Sequence, residues 1–193
     1  MCKFANSILL ALVVGLLLAP VTHAAEPPFQ LPPTTELSKL RSAVITTSKG
    51  TVYCELFPDE APWHVANLKF LADRGFFKGG RITQYMADYI VQGGGMRALP
   101  DIAPYSIPAE FNSRQHERGS LGMARRTNEI NPERRSTYDQ FHLLLGRAPH
   151  MDGHYTVFGK VVGGTEAMQS LRIGDEIKDL KVFVRPSGIS LDQ

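Results

Sequence analysis

The chemistry-bearing stretch of this chain is Ile82-Thr83-Gln84-Tyr85-Met86-Ala87-Asp88-Tyr89-Ile90-Val91-Gln92-Gly93-Gly94-Gly95. Tyr85, Tyr89, Ile90 and Val91 favour a strand, because aromatic and branched side chains pack well on a pleated surface. Polar residues are set into that stretch, and three glycines end it, where the backbone can take conformations closed to other residues. Gln92, the last side chain before the glycines, is a candidate to line a site; a core strand followed by a flexible loop is the plainer alternative. The usual nucleophile, dinucleotide, phosphate and CxxC signatures are missing. The six histidines are scattered at 23, 64, 116, 142, 150 and 154. His150 and His154 are four apart, but Asp152-Gly153 between them marks a turn, so a metal site there is a weak reading. His64 reads as a surface or packing residue.

The elements that must position these residues are short. Ala43–Thr47 and Thr51–Phe57 read as a hairpin around Ser48-Lys49-Gly50. Val52, Cys54 and Leu56 share one face of its second strand, so Cys54 reads as a buried, inert thiol. Pro58–Pro62 opens a helix, with Pro62 in its first turn, acids favouring its positive end, Val65, Leu68, Leu71 and Ala72 on one face, and Gly75 as its stop. Further strands are expected at 120–124, 140–145, 155–162 and 177–184. A second helix runs from Thr165, its N-cap, to about Leu171. Residues 96–119 are an irregular region with Pro100, Pro104 and Pro108, and 125–138 an arginine-rich exposed loop. Short strands, glycine turns and only two helices argue for an all-β core, and closing it into a barrel would remove exposed edges while the helices cap its ends.

The chain has 193 residues, 43% of them hydrophobic, enough for one sizeable core. A net charge of +2 demands neither nucleic acid nor an acidic ligand as partner. Residues 1–24 read as a signal peptide: Lys3, an apolar run from Ile8 to Leu18, Pro20, and Thr22-His23-Ala24 before the cleavage point. The run is short for a membrane span, which needs roughly 20 apolar residues, so no span is expected after cleavage. Residues 25–41, with four prolines, read as an extended tether, and 42–193 as the domain. The exported protein keeps Cys54 alone and so has no internal disulfide; a periplasmic location and a monomer are expected.

A set of segments in fixed order resembles the cyclophilin family of peptidyl-prolyl isomerases: Phe77-Lys78-Gly79, Tyr89-Ile90-Val91-Gln92-Gly93-Gly94, Leu121-Gly122-Met123-Ala124, Gln140-Phe141, and Asp152-Gly153-His154-Tyr155-Thr156-Val157-Phe158-Gly159-Lys160-Val161-Val162-Gly163-Gly164. The resemblance runs from about Ala43 to Val184. It implies an eight-stranded closed antiparallel β-barrel capped by two helices, an outer groove that takes proline-containing segments of unfolded or exported proteins, and no cofactor or metal. It places Tyr89, Ile90 and Met151 in the proline pocket, Gln92 as the glutamine that orders the site, and Ala124, Arg125, Gln140 and Tyr155 along the groove.

The chain departs from the family's pattern at three places. The family's Phe-His-Arg stands here as Ile82-Thr83-Gln84, so Gln84 replaces the catalytic arginine. A pocket phenylalanine becomes His142, and the 125–138 loop is arginine-rich. Arg81 or Arg125 is a candidate substitute donor, but the plainer reading of each is a solvated surface arginine. Gln84 is then either a weakened catalytic donor or a plain strand residue. The resemblance thus implies an isomerase of reduced activity assisting the folding of exported proteins, or a catalytically inactive module that binds proline-containing segments as a chaperone or partner domain.

Overall fold

The computed structural model of the protein describes residues 25–184; the signal peptide read at 1–24 lies outside them, as does the domain's end beyond 184. Strands β1 (Leu40–Thr47) and β2 (Gly50–Leu56) form the expected hairpin, pairing Thr47 with Gly50. Gly50 has φ +124°, a conformation that favours glycine. Val52, Cys54 and Leu56 point inward and are fully buried, while Tyr53 between them is exposed. Burial pushes the Cys54 thiol up to about 12, which leaves it uncharged and unreactive.

Helix α2 (Pro62–Asp73) follows, then β3 (Gly80–Met86), β4 (Ile90–Gly94), a two-residue β5 (Ser106–Ile107), β6 (Ser120–Arg125), β7 (Ser136–Leu144), β8 (Val157–Gly163), α3 (Thr165–Ser170) and β9 (Glu176–Val184). Strand order β4-β3-β9-β1-β2-β8-β6-β7, closed by β4 pairing with β7, makes an eight-stranded antiparallel barrel, with β5 added beside β7. Closure satisfies every strand edge of the barrel with a neighbour. Helix α2 packs on β9 and β5, and α3 on β2.

Four expectations change. Residues 82–95 are not one strand but the β3–β4 hairpin, turned at Ala87-Asp88-Tyr89, where Asp88 takes φ 55°. Aspartate tolerates that left-handed conformation better than most residues. Strand β7 starts at Ser136, inside the segment read as loop. Gly164, at φ 73°, caps α3 in place of Thr165. Residues 25–41 do not hang free: Phe29 packs between Trp63, Phe70 and Tyr105, a short helix α1 (Thr34–Leu37) forms, and Leu37 and Leu40 are buried. Prolines remove helix and strand periodicity, but they do not keep an aromatic side chain off an apolar surface.

The start of α2 shows how a distant residue completes a local element. Its cap residue, Ala61, offers no side-chain acceptor, and the acids expected to serve there turn away: Asp59 pairs with Arg41 and Glu60 with Arg114. Glu110 supplies the acceptors instead. Its carboxylate takes the N–H groups of Trp63 (2.9 Å) and His64 (3.1 Å) and the His64 Nδ1–H (2.6 Å). His64 Nε2 lies 2.8 Å from the Ser136 hydroxyl, so of the two readings the packing one holds: this histidine is fully buried and satisfied. Charge-assisted bonds contribute about 1.5–3 kcal/mol each, and a buried donor left unpaired costs about as much. Glu110→Ala is therefore expected to lower unfolding stability by roughly 2–4 kcal/mol, read as a lower urea midpoint with an unchanged slope.

Candidate functional site

Side chains alternate across a strand, so cross-strand partners share a face. One such row runs around the outside of the barrel: Gln84 on β3 is paired with Gln92 on β4, Gln92 with His142 on β7, and His142 with Gly122 on β6. Their neighbours Val91, Phe141, Leu143, Leu121 and Met123 point the other way, into the main core. Ile90, Leu144, Ala124 and Gln140 fall on the outer face with the row. The barrel thus brings residues from four strands onto one surface.

At one end of that surface lies a small apolar cluster separate from the core. Ile90, Leu144, Ala148 and Met151 are buried in it, and Tyr89 and Tyr155 are half-exposed at its edge. Met151 comes from a single 3-10 turn, Pro149–Met151. The Tyr89 hydroxyl is 2.8 Å from His150 Nε2 and donates weakly to Met151 Sδ at 3.4 Å, which fixes the ring as a wall. Burial, then the neighbouring Tyr155, raises the Tyr89 pKa, so the phenol stays neutral.

Beneath Tyr155 sits a pair of histidines. His142 and His116 are each about 1% exposed, with ring centroids 6.4 Å apart, and Tyr155 meets both edge-on. The Nε2 atom of each has no hydrogen-bond partner among the described residues. His142 fits only because Gly122 lacks a side chain: a Cβ there would lie 2.3 Å from His142 Nε2. Burial, then the proximity of His116, pulls the His142 pKa down to about 3. His116 is also lowered by burial, offset by Asp152, whose carboxylate accepts from the His116 backbone N–H (2.7 Å), contacts its Nδ1 (2.9 Å) and pairs with Arg147. The sequence marks out His142, whereas His116 joins it from a loop 26 positions away in a chain whose histidines show no pattern.

The polar end is built on the β3–β4 hairpin. A bulge between Ile82 and Gln84 leaves Thr83 and Gln84 both facing solvent. Thr83 Oγ donates to Gln140 Oε1 at 3.2 Å, a contact that the sequence did not single out. The Gln84 amide reaches Met86 Sδ at 3.8 Å and makes no bond to the Gln92 side chain among the described residues. Gln140 can cross here because Gly94 has no Cβ, which would stand 2.7 Å from its amide nitrogen.

The two candidate arginines part company. Arg81 turns away, donating from Nη1 to the Gly174 carbonyl at 2.9 Å. Arg125, at the end of β6, lies with its guanidinium carbon 4.7 Å from the Tyr155 ring centroid. Its neighbour Ala124 is half-buried, its carbonyl held by Thr137 Oγ. His150 and His154 point to different partners, Tyr89 and Arg134. Behind the 126–135 loop is a cavity of about 500 Å³ lined by Tyr105, Ser106, Asn131, Arg135 and Asp139 among others.

A closed eight-stranded antiparallel barrel with a separate apolar cluster and two paired glutamines on its outer face is the arrangement of a cyclophilin-like protein. Residues 42–186 match the family described as cyclophilin type peptidyl-prolyl cis-trans isomerase/CLD. The chain is similar to a peptidyl-prolyl cis-trans isomerase of Helicobacter pylori J99, 36% identical over 74% of this chain and 84% of that one. It is also similar to peptidyl-prolyl cis-trans isomerase B of Bacillus subtilis, 34% identical over 66% and 87%. A crystal structure of a Cryptosporidium parvum cyclophilin type isomerase superposes with TM-score 0.65 at 23% identity, covering 76% of this chain and 99% of that one. The chain belongs to the cyclophilin-type peptidyl-prolyl cis-trans isomerase family.

Proposed function

We propose that this groove turns X-Pro bonds of newly exported or unfolded chains, at a reduced rate set by Gln84. The observation that supports the site most directly is the outer-face row Gln84–Gln92–His142 running beside the separate apolar cluster of Tyr89, Ile90, Met151 and Tyr155. Rotation about an amide must overcome a barrier of roughly 18–20 kcal/mol set by resonance, and no bond breaks. The site needs an apolar seat for the proline ring and donors that favour the twisted amide over both planar forms. The cluster offers the seat, Gln84 and Gln92 offer amide donors, and Ala124, Arg125 and Gln140 line the path of the segment. A neutral amide donates a bond about half as strong as a charged one, hence the reduced rate. A crystal structure of the Cryptosporidium parvum relative was obtained in the presence of the dipeptide Ala-Pro, a ligand of the kind this groove would take.

Cis/trans exchange on a short Ala-Pro peptide, followed by NMR with purified mature protein, tests the reading. Exchange well faster than the uncatalysed tens of seconds, and slowed by Tyr89→Ala, is the expected result. Shifts on peptide addition without faster exchange would leave a proline-segment binding module, the reading that the Gln84 substitution favours. Export and cleavage after Ala24 rest on residues 1–24; fractionation and the N-terminal sequence of the secreted protein check them, with a monomer expected on sizing.

A further inference from the structure

We propose that Arg125 and Arg134 form a cationic rim on the proline pocket that selects X-Pro segments with an acidic side chain beside the proline. This rests on the groove's taking proline segments, as proposed above. Arg125 is held over the Tyr155 ring by neutral acceptors only. Its Nε donates to the His154 carbonyl at 2.7 Å, and Nη1 donates to Asn128 Oδ1 at 2.8 Å and to the Arg126 carbonyl at 3.1 Å. Arg134, at φ 54°, places its guanidinium carbon 4.8 Å from the Phe111 ring centroid, with Nη1 3.5 Å from His154 Nδ1. Neither guanidinium has an ion pair with a carboxylate among the described residues.

Arg41, Arg114, Arg135 and Arg147 pair with acids, while Arg74, Arg81 and Arg172 donate to backbone carbonyls away from the apolar cluster. Of the carboxylates nearby, Glu133 lies beside Arg135 and Asp152 pairs with His116 and Arg147, while Glu129, bonded to Thr127 and its own backbone, keeps its charge as the two arginines do. Asp139 is half-buried and feels the exposed Arg126. Arg125 and Arg134 thus bring two guanidinium groups without a carboxylate partner to the Tyr155 and His154 edge of the apolar cluster. A guanidinium fixed by neutral bonds keeps its charge for a ligand and loses little side-chain freedom on binding one. A proline ring seated against Tyr155 would bring the adjoining side chain within reach of Arg125, and a carboxylate there gains charge-assisted bonds that a lysine cannot.

The test uses four acetyl-capped, amide-ended peptides with Glu or Lys immediately before or after the proline, and measures catalysed exchange by NMR. Exposed charge pairs contribute up to about 1 kcal/mol, so the Glu peptide of at least one pair is expected to be turned over about threefold or more faster than its Lys counterpart, a ratio shrinking in about 0.5 M salt. The double variant Arg125→Gln, Arg134→Gln should bring that ratio to near one, and Arg125→Lys should retain part of it. A wild-type ratio near one in both pairs, or one that the double variant leaves intact, overturns the rim. If no peptide exchanges faster, the same four are compared by shift titration, where equal affinities overturn the rim and leave the groove standing. No binding by any of them removes the groove reading and the rim with it.

Discussion

Gln84→Arg is expected to raise catalysed exchange on an X-Pro peptide tenfold or more. The change is one the site can accept: Gln84 is exposed on β3, its amide meets only Met86 Sδ, and the bulge before it turns it toward solvent. Its register partner is Gln92, so a longer side chain at 84 starts from the strand position beside the glutamine to which the resemblance assigns the ordering of the site. A guanidinium there offers charge-assisted donors where an amide offers neutral ones. Removing a comparable preorganised donor from an enzyme of another class costs about 2.7–4 kcal/mol, or 10²–10³ in rate. Restoring one within a site otherwise unchanged need recover only about 1.4 kcal/mol to give a factor of ten. NMR exchange rates for both proteins, with matching thermal melts, measure the gain. An Arg variant that folds normally and shows no gain would mean that residue 84 does not face the rotating amide. Gln84→Ala and Tyr89→Ala that leave activity untouched would say the same of the whole site.

The barrel was legible because its physics is local and repetitive. Val52, Cys54 and Leu56 announce their strand by alternation, Gly50 its turn, and Pro62 the first turn of α2; the ordered segments from Phe77 to Gly164 then carried the topology. The outer-face set Ile90, Gln92, Ala124, Gln140 and His142 was legible by resemblance, and the strand register brings it onto one surface. What was not legible depends on partners far apart in sequence. Glu110 reaches back 46 positions to cap α2, and Phe29 finds its aromatic neighbours at 63, 70 and 105. Neither leaves a periodic trace. His116 is invisible beside His142 because nothing local asks for a histidine there; only the folded loop sets it under Tyr155. Asp88 was missed for a different reason: in an apolar run a single aspartate reads as a surface strand residue until its left-handed turn is seen.

The histidine pair makes the protein's stability acid-sensitive in a definite window. His142 is neutral in the native barrel, with a pKa of about 3, against about 6.5 in an unfolded chain. Between those values the unfolded state takes up a proton that the native state refuses. The unfolded chain binds more protons there, so stability rises with pH: the contribution is complete above about pH 6.5 and is lost progressively as pH falls toward 3. At about 1.4 kcal/mol per pH unit, stability at pH 4.5 should be lower than at pH 7 by roughly 2–3 kcal/mol from His142 alone. His116, lowered by burial against the opposing pull of Asp152, adds a smaller slope of the same sign. Asp152 itself, against an upward push from desolvation, is depressed to about 2 by its bonds to His116 and Arg147, so its stabilisation disappears only below the ordinary carboxylate range. His142→Phe restores an apolar ring over Gly122 and removes the proton-binding group, leaving only the shallower slope of His116. Urea midpoints at pH 7 and pH 4.5 for both proteins separate the terms. A His142→Phe protein whose midpoint falls with acid as steeply as the wild type would show that His142 does not hold its proton off in the native fold, and the slope would have to come from His116 and its carboxylate partner.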